Sequence, residues 1–179
     1  MSEQTIVRRC RALRLVLTDV DGVLTDGTLV LLPAGQEAKV FHVRDGLAVG
    51  LAHAAGLQTG LVTGRESQVV ERRAAELGMG VVRQGASDKA HAFHSILEEL
   101  HLQAREVAYI GDDLNDLPVL REVGLSAAPA DAPLEVRSEV FLVTEAAGGR
   151  GAYREFVEAI LKAQGTWDRA LLALRLATA

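Results

Sequence analysis

The sequence predicts a doubly wound, Rossmann-like α/β fold on a parallel sheet. Short apolar runs rich in β formers alternate with longer stretches at helical spacing, the order that gives parallel strands joined by crossover helices. Acids crowd just past two of these runs, around Asp19 and Asp21 and again over residues 112–116. The carboxyl end of a strand is where an open α/β sheet binds its ligands. Of the 179 residues, 49% are hydrophobic but only 4% are aromatic. The expected core is therefore Leu, Val and Ala, suited to helices packed on an aliphatic sheet.

That length supports one domain, residues 1–179, with a substantial core. The formal net charge is −5 with no basic stripe, which argues against nucleic acid as the main partner. Cys10 is the single cysteine, which excludes an intrachain disulfide and a cysteine metal cluster. The opening residues lack a signal-peptide pattern and no apolar run reaches membrane-spanning length, so the expectation is a cytoplasmic chain with no membrane partner.

In chain order, residues 3–12 read as a short helix with Ile6, Val7 and Cys10 on one face and Arg8, Arg9 and Arg11 on its solvated side. A buried strand follows at about 14–18. Asp19 and Asp21 then point the same way at the strand tip, with Gly22 next. Two carboxylates side by side repel, so either a divalent cation neutralises them or one stays protonated. Taken alone, an acidic turn closing a strand is the plainer reading.

Two β-prone runs, 28–32 and 37–41, flank Pro33-Ala34-Gly35-Gln36 and predict a hairpin, a flap at about 27–41. Its Leu29, Val30, Leu31 and Leu32 would expose much apolar surface unless another chain covers it, so the hairpin predicts self-association. Residues 42–46 lead into an apolar helix at about 47–55, stopped by Gly56. A strand at 57–62 ends in Thr63-Gly64-Arg65, and a helix spans about 67–77 with Glu71, Arg72, Arg73 and Glu76 as a charged face. After a short strand at 80–82, Ser87 or Asp88 caps a helix running to about 100. Lys89 in its first turn opposes the helix dipole, which favours a functional reason for it.

The strand 107–110 ends in Gly111-Asp112-Asp113-Leu114-Asn115-Asp116. Helix capping explains one or two of those acids, not three. A helix to about 123, strands at 124–127 and 140–143, a helix at about 152–164 and a tail anchored by Trp167 complete the chain. No insertion is long enough for a separate cap domain.

Asp19/Asp21, Thr63-Gly64, Lys89 and Asp112/Asp113/Asp116 can all meet at one sheet edge. Acids for a hard cation, a hydroxyl and backbone N–H groups for phosphate oxygens, and an ammonium for residual negative charge are what phosphoryl transfer needs. A signalling receiver domain uses a similar set, but its acceptor Asp follows a central strand and has no second acid two residues on.

DVDGVLTDG, VTGR, SDK and GDDLND resemble the four motifs of the haloacid dehalogenase superfamily of phosphohydrolases. FHVRDG, QGASDK, GDDLNDLPVL and AGGRGAYREFVEAIL resemble its capless branch acting on 8- or 9-carbon sugar-acid phosphates, above all the phosphatases of 3-deoxy-D-manno-octulosonate 8-phosphate. The resemblance implies a Mg²⁺-dependent homotetramer, with hairpins and C-terminal tails meeting near the active sites. Asp19 would be the nucleophile, and Asp21 the acid and base that also offers Mg²⁺ its backbone carbonyl. Thr63 and Lys89 would hold the transferring phosphoryl group. Asp112 would ligate Mg²⁺, Asp113 would act through water, and Asp116 would steady Lys89 or the metal waters.

The family's substrate contacts map onto His42, Val43, Arg44, Asp45, Gly46, Arg65 and Arg73, with Asp21 and Lys89 also facing substrate. Arg65 resembles the octulosonate branch, where the 9-carbon branch tends to Glu. His42 stands where the family often has Asn, and Gly50 where octulosonate phosphatases often have Arg. These departures bear on the substrate, not the reaction. The alternatives are another small phosphate ester, such as a 9-carbon sialic-type acid 9-phosphate, or a non-catalytic oligomerisation module.

Overall fold

The computed structural model describes residues 3–177. An amphipathic helix, α1 (Glu3–Ala12), precedes β1 (Leu15–Thr18). All four residues of β1 are buried, as its unbroken apolar run requires. After an irregular loop comes a hairpin of β2 (Val30–Leu31) and β3 (Glu37–Ala38), turning through Pro33–Gly35. Then follow α2 (Val43–Ala54), β4 (Gln58–Val62), α3 (Gln68–Leu77), β5 (Val81–Arg83) and α4 (Lys89–Leu100). The second half adds β6 (Val107–Ile110), α5 (Leu117–Leu120), β7 (Leu125–Ala128), α6 (Leu134–Arg137), β8 (Leu142–Val143), α7 (Ala152–Gln164) and α8 (Trp167–Ala177). The expected tail runs to Ala179; residues 178–179 lie outside the described residues.

Among the described residues the main sheet has six parallel strands in the order β5-β4-β1-β6-β7-β8. The chain builds outward from β1 on one side, then returns to lay β6 on the other. The tips of β1 and β6 therefore diverge at the topological switch point, the crevice where such sheets bind ligands.

Alternation along the strands splits the core in two. Val16, Ala108 and Ile110 face a layer that includes Cys10, Ala48, Val70, Ala74, Tyr153 and Phe156. Leu15, Leu17, Val107 and Tyr109 face Phe93, Ile96, Val119 and Val136. Each fully buried aliphatic or aromatic side chain contributes about 1.5–3 kcal/mol, so the sheet is clamped from both faces.

Four expectations need correction. The hairpin strands expected at 28–32 and 37–41 pair only over Val30–Leu31 and Glu37–Ala38. The helix expected from about 47 begins at Val43, because His42 caps it and its Nδ1 accepts the Arg44 N–H at 3.3 Å. The segment 42–46 is thus cap and first turn rather than a lead-in. The helix expected to about 123 is a 3-10 turn over Leu114–Asp116 and then the single turn of α5. Arg9 is not solvated: it donates to the Gly124 carbonyl at 2.7 Å and lies 4.1 Å from the centre of the Phe141 ring.

Candidate active site

The Asp19 N–H donates to the Ile110 carbonyl at 2.9 Å, which carries the β1–β6 pairing one residue past the strand and fixes the first acid at the switch point. The chain then turns through Gly22 at φ +93°. A Cβ at Gly22 would overlap the Asp112 carboxylate, so glycine serves both the turn and the approach of the β6 loop. Gly148 and Gly149 back the same turn. The Gly149 N–H donates to the Val23 carbonyl at 2.8 Å, and a Cβ at Gly148 would collide with the Gly22 carbonyl.

Lys89 reaches this turn from the first position of α4. Its Nζ lies 2.9 Å from Asp19 Oδ2 and 2.6 Å from Asp116 Oδ1, and its side chain is 1% exposed. Asp116 is saturated. Oδ1 also accepts from the buried Tyr109 hydroxyl, and Oδ2 accepts the N–H groups of Asp112 and Asp113 at 3.1 and 3.3 Å. Of the two roles the resemblance gave Asp116, this geometry serves the steadying of Lys89.

Oxygens of Asp19, Asp112 and Asp116 lie within 4.8 Å of one another. Asp19 Oδ1 and Asp112 Oδ1 are buried with no hydrogen-bond partner. Burial, and then Asp116, push the Asp19 carboxyl up to about 6. Burial, then Asp19 and Asp116, push Asp112 up to about 8. Burial works against the charge on Lys89, yet Asp19 and Asp116 more than offset it and its pKa is raised. One ammonium does not neutralise this set. Orphaned buried oxygens on hard ligands fit a divalent cation such as Mg²⁺.

The second acid of the pair has partners of its own. Asp21 Oδ1 pairs with Lys39 Nζ and accepts from the Thr25 hydroxyl at 3.4 Å. Oδ2 is buried, makes no hydrogen bond, and lies 3.8 Å from Arg65 Nε. Arg65 in turn stands 3.5 Å from Glu37 of β3. The Ser67 hydroxyl, then Lys39 and Arg65, hold the Glu37 carboxyl below its ordinary value against burial. A groove of about 790 Å³ opens between the hairpin and the start of α3, lined by Leu31, Glu37, Arg65 and Ser67.

Thr63 is buried just past β4, next to β1, its N–H donating to the Arg83 carbonyl at 2.9 Å. The remaining expected contacts divide. Val43 and Arg44 are exposed and His42 is half-buried. Asp45 is turned inward: it is 2% exposed and its Oδ1 accepts the Arg154 N–H at 2.9 Å, capping α7 from another helix. Arg73 packs against Gly46 and lies 5.8 Å from the centre of the Phe41 ring, with Glu76 at 3.4 Å. Gly50 underlies the tail helix; a Cβ there would meet Leu174 Cδ2 at 3.7 Å. An arginine at that position would have to displace α8.

Sequence reasoning passed over Lys39, Thr25, Glu37 and Tyr109. Lys39 reads as an ordinary polar residue of a surface strand. The available signal was a lone Lys alternating with Glu37 directly after a DxDG turn.

The haloacid dehalogenase-like hydrolase family matches residues 39–124. The chain is 43% identical over 165 residues to the 3-deoxy-D-manno-octulosonate 8-phosphate phosphatase KdsC of Escherichia coli (strain K12), covering 92% of this chain and 88% of that one. Among solved structures it is similar to a probable YrbI family phosphatase from Pseudomonas syringae pv. phaseolica, with TM-score 0.92, 44% identity and 97% and 98% of the two chains covered. It is also similar to the 3-deoxy-D-manno-octulosonate 8-phosphate phosphatase of Moraxella catarrhalis, solved with a magnesium ion, a phosphate ion and a KDO molecule, with TM-score 0.91, 37% identity and 94% and 97% covered.

Proposed function

The chain belongs to the 3-deoxy-D-manno-octulosonate 8-phosphate phosphatase family of haloacid dehalogenase-like hydrolases, and on that premise we propose how its own residues perform the reaction. It is a Mg²⁺-dependent phosphomonoesterase that hydrolyses 3-deoxy-D-manno-octulosonate 8-phosphate. The observation that carries the reading is the convergence of Asp19, Lys89 and Asp112 at the β1–β6 switch point, with buried oxygens left unpaired.

Asp19, Asp112 and the Asp21 backbone carbonyl would hold a magnesium ion, which would supply positive charge to the acids and to the phosphate oxygens. Asp19 attacks phosphorus and forms an aspartyl phosphate. Asp21 gives its proton to the departing sugar alkoxide, then takes one from the water that hydrolyses the aspartyl phosphate. Lys89 and Thr63 hold the phosphoryl oxygens, and Asp116 keeps Lys89 in place. Asp113, exposed at the cluster's edge, acts through water. Arg65 is placed to meet a sugar-acid carboxylate or hydroxyl. His42, Val43, Arg44 and Arg73 contribute at the rim, while Asp45 and Gly46 shape that rim by packing.

The reading takes residues 1–179 as one phosphatase domain with the hairpin as its lid. Self-association as a homotetramer is supported by the hairpin's apolar surface, with Leu29, Val30, Leu31 and Leu32 between 41% and 73% exposed. Among the described residues no helix is long and apolar enough to cross a membrane. A cytoplasmic site fits that and the free thiol of Cys10.

The test is phosphate release with Mg²⁺ from the octulosonate 8-phosphate, a 9-carbon sugar-acid 9-phosphate and p-nitrophenyl phosphate. The expected result is preference for the octulosonate ester. Turnover of the other esters without it overturns the substrate assignment.

A further inference from the structure

We propose that Lys39, carried into the site by the hairpin, is a positioning residue for Asp21. It fixes Oδ1 and leaves Oδ2 as the oxygen that exchanges the proton. This rests on the reading of Asp21 as the acid and base above.

The argument starts from the cost of the contact. A lysine side chain 2% exposed is rare unless paired, and this one comes from a two-stranded hairpin that otherwise faces solvent. Ordering a lysine gives up rotamer freedom. Its partner is the second acid of the DxD pair and not the acid-rich cluster around Asp112. Lys39 and Thr25 occupy Asp21 Oδ1, so that oxygen already has donors. Oδ2 makes no hydrogen bond although it is buried, the nearest cation being Arg65 Nε at 3.8 Å. A carboxyl group held in this way has one orientation, and a proton it carries sits on Oδ2.

The consequence for the chemistry follows. As Asp19 forms its bond to phosphorus, the bond from phosphorus to the sugar oxygen breaks, and its electron pair takes the proton from Asp21 Oδ2. Asp21 is left as a carboxylate, and the Lys39 ammonium faces the charge that develops there. A preformed charge aimed at charge appearing in the transition state lowers the barrier without reorganisation. In the second half Oδ2 takes a proton from water as the water oxygen bonds to phosphorus and the bond to Asp19 breaks. Asp21 then carries the proton for the next cycle.

Glu37 and Arg65 tie the same hairpin to the start of α3, so the hairpin delivers Lys39 from a fixed position. The hairpin thus acts as part of the acid–base apparatus as well as a cover.

The discriminating experiment compares esters that differ in their need for a proton. Lys39→Met is expected to lower kcat for the sugar-acid phosphate by about 10- to 100-fold with KM within about threefold, since general acid catalysis supplies about 10²–10⁴-fold. On p-nitrophenyl phosphate, whose phenolate leaves without a proton, kcat/KM, which reports only the steps up to phenolate release, is expected to fall by less than about threefold. Lys39→Arg, which keeps the charge, is expected to recover most of the lost kcat. The Mg²⁺-induced rise in melting temperature is expected to be unchanged in Lys39→Met, showing an intact fold and cation site. Equal loss of kcat/KM on both esters, a raised KM with kcat intact on the sugar-acid phosphate, or a lost Mg²⁺ response each overturns the proposal. A wild-type protein that turns over p-nitrophenyl phosphate and another alkyl phosphate but not the octulosonate ester overturns only the substrate assignment. The Lys39 comparison then uses that alkyl phosphate.

Discussion

The cluster around Lys89 and the hairpin beside Asp21 serve one site but are built in opposite ways. The cluster stands on strand tips and the first turn of a helix, with Lys89, Asp19 and Asp116 between 0% and 6% exposed. The hairpin has a two-residue ladder, and its large apolar side chains face out. One region holds charge where water cannot screen it; the other keeps a single buried cation on an otherwise open scaffold. The cluster holds its charges on the strand tips and helix turn themselves, whereas the hairpin brings one charge to Asp21 and leaves its outer face to the substrate's far end or a second copy.

The largest effect expected is on turnover. Asp19→Asn keeps the shape but removes the nucleophile, and phosphate release should fall by about 10⁴-fold or more, as with other nucleophile removals. Circular dichroism should show the fold retained. Retained turnover would break the comparison at its centre, because the cluster would then be structural.

The next effect is on stability. Lys89→Met leaves Asp19 and Asp116 buried without their cation, and breaking a buried pair costs about 3–5 kcal/mol, measurable by urea unfolding. Glu37→Gln in the hairpin, which loses only a partly exposed pair, should cost less than about 1 kcal/mol. Similar costs for the two would erase the distinction.

Protons probe the same difference. Asp19 and Asp112 are raised to about 6 and about 8 from an ordinary 3.8. Between about pH 4 and pH 8 the folded chain holds protons that the unfolded chain has already released, so the metal-free protein should lose stability as pH rises through that window. Lys89, whose pKa is raised above an already high value, does not titrate there. Thermal melts in a chelator should show the fall, and Mg²⁺ should reverse it. A flat profile would mean that the acids do not share one buried pocket.

The smallest effect on stability is expected from the hairpin's outer face. Leu31 is 73% exposed, and Leu31→Asp should change stability by no more than about 0.5 kcal/mol. It should nevertheless shift the assembly towards smaller species in sedimentation velocity. An unchanged sedimentation profile would remove the hairpin from the interface.

Much of this is legible in the sequence. The buried strands read clearly because short apolar runs such as Leu15-Val16-Leu17 and Val107-Ala108-Tyr109-Ile110 have few alternatives, and the acids at their tips mark the edge. Lys89 stood out as a charge at the wrong end of a helix. The start of α2 was misread because Gly46 and the charged Arg44-Asp45 pair mimic a loop, while the signals that decide it, a His cap and an Asp docking on a distant helix, require the fold. The hairpin strands are shorter than the sequence suggests because propensity favours strand over both runs, yet a two-stranded ribbon outside the main sheet sustains only a two-residue ladder. Lys39 carries no such signal: its partner is 18 positions away, and the β2–β3 hairpin is what returns the chain to it.

The central place of β1 has a consequence for biosynthesis. The strand that carries the nucleophile emerges early from the ribosome, but its neighbours begin at Gln58 and Val107, and the glycines that buttress its turn lie at 148 and 149. A nascent chain therefore displays at least one edge of Leu15, Val16 and Leu17 unpaired until Val107–Ile110 has been made. Such long-range closure folds slowly, and chaperone dependence during synthesis should exceed what the finished fold suggests.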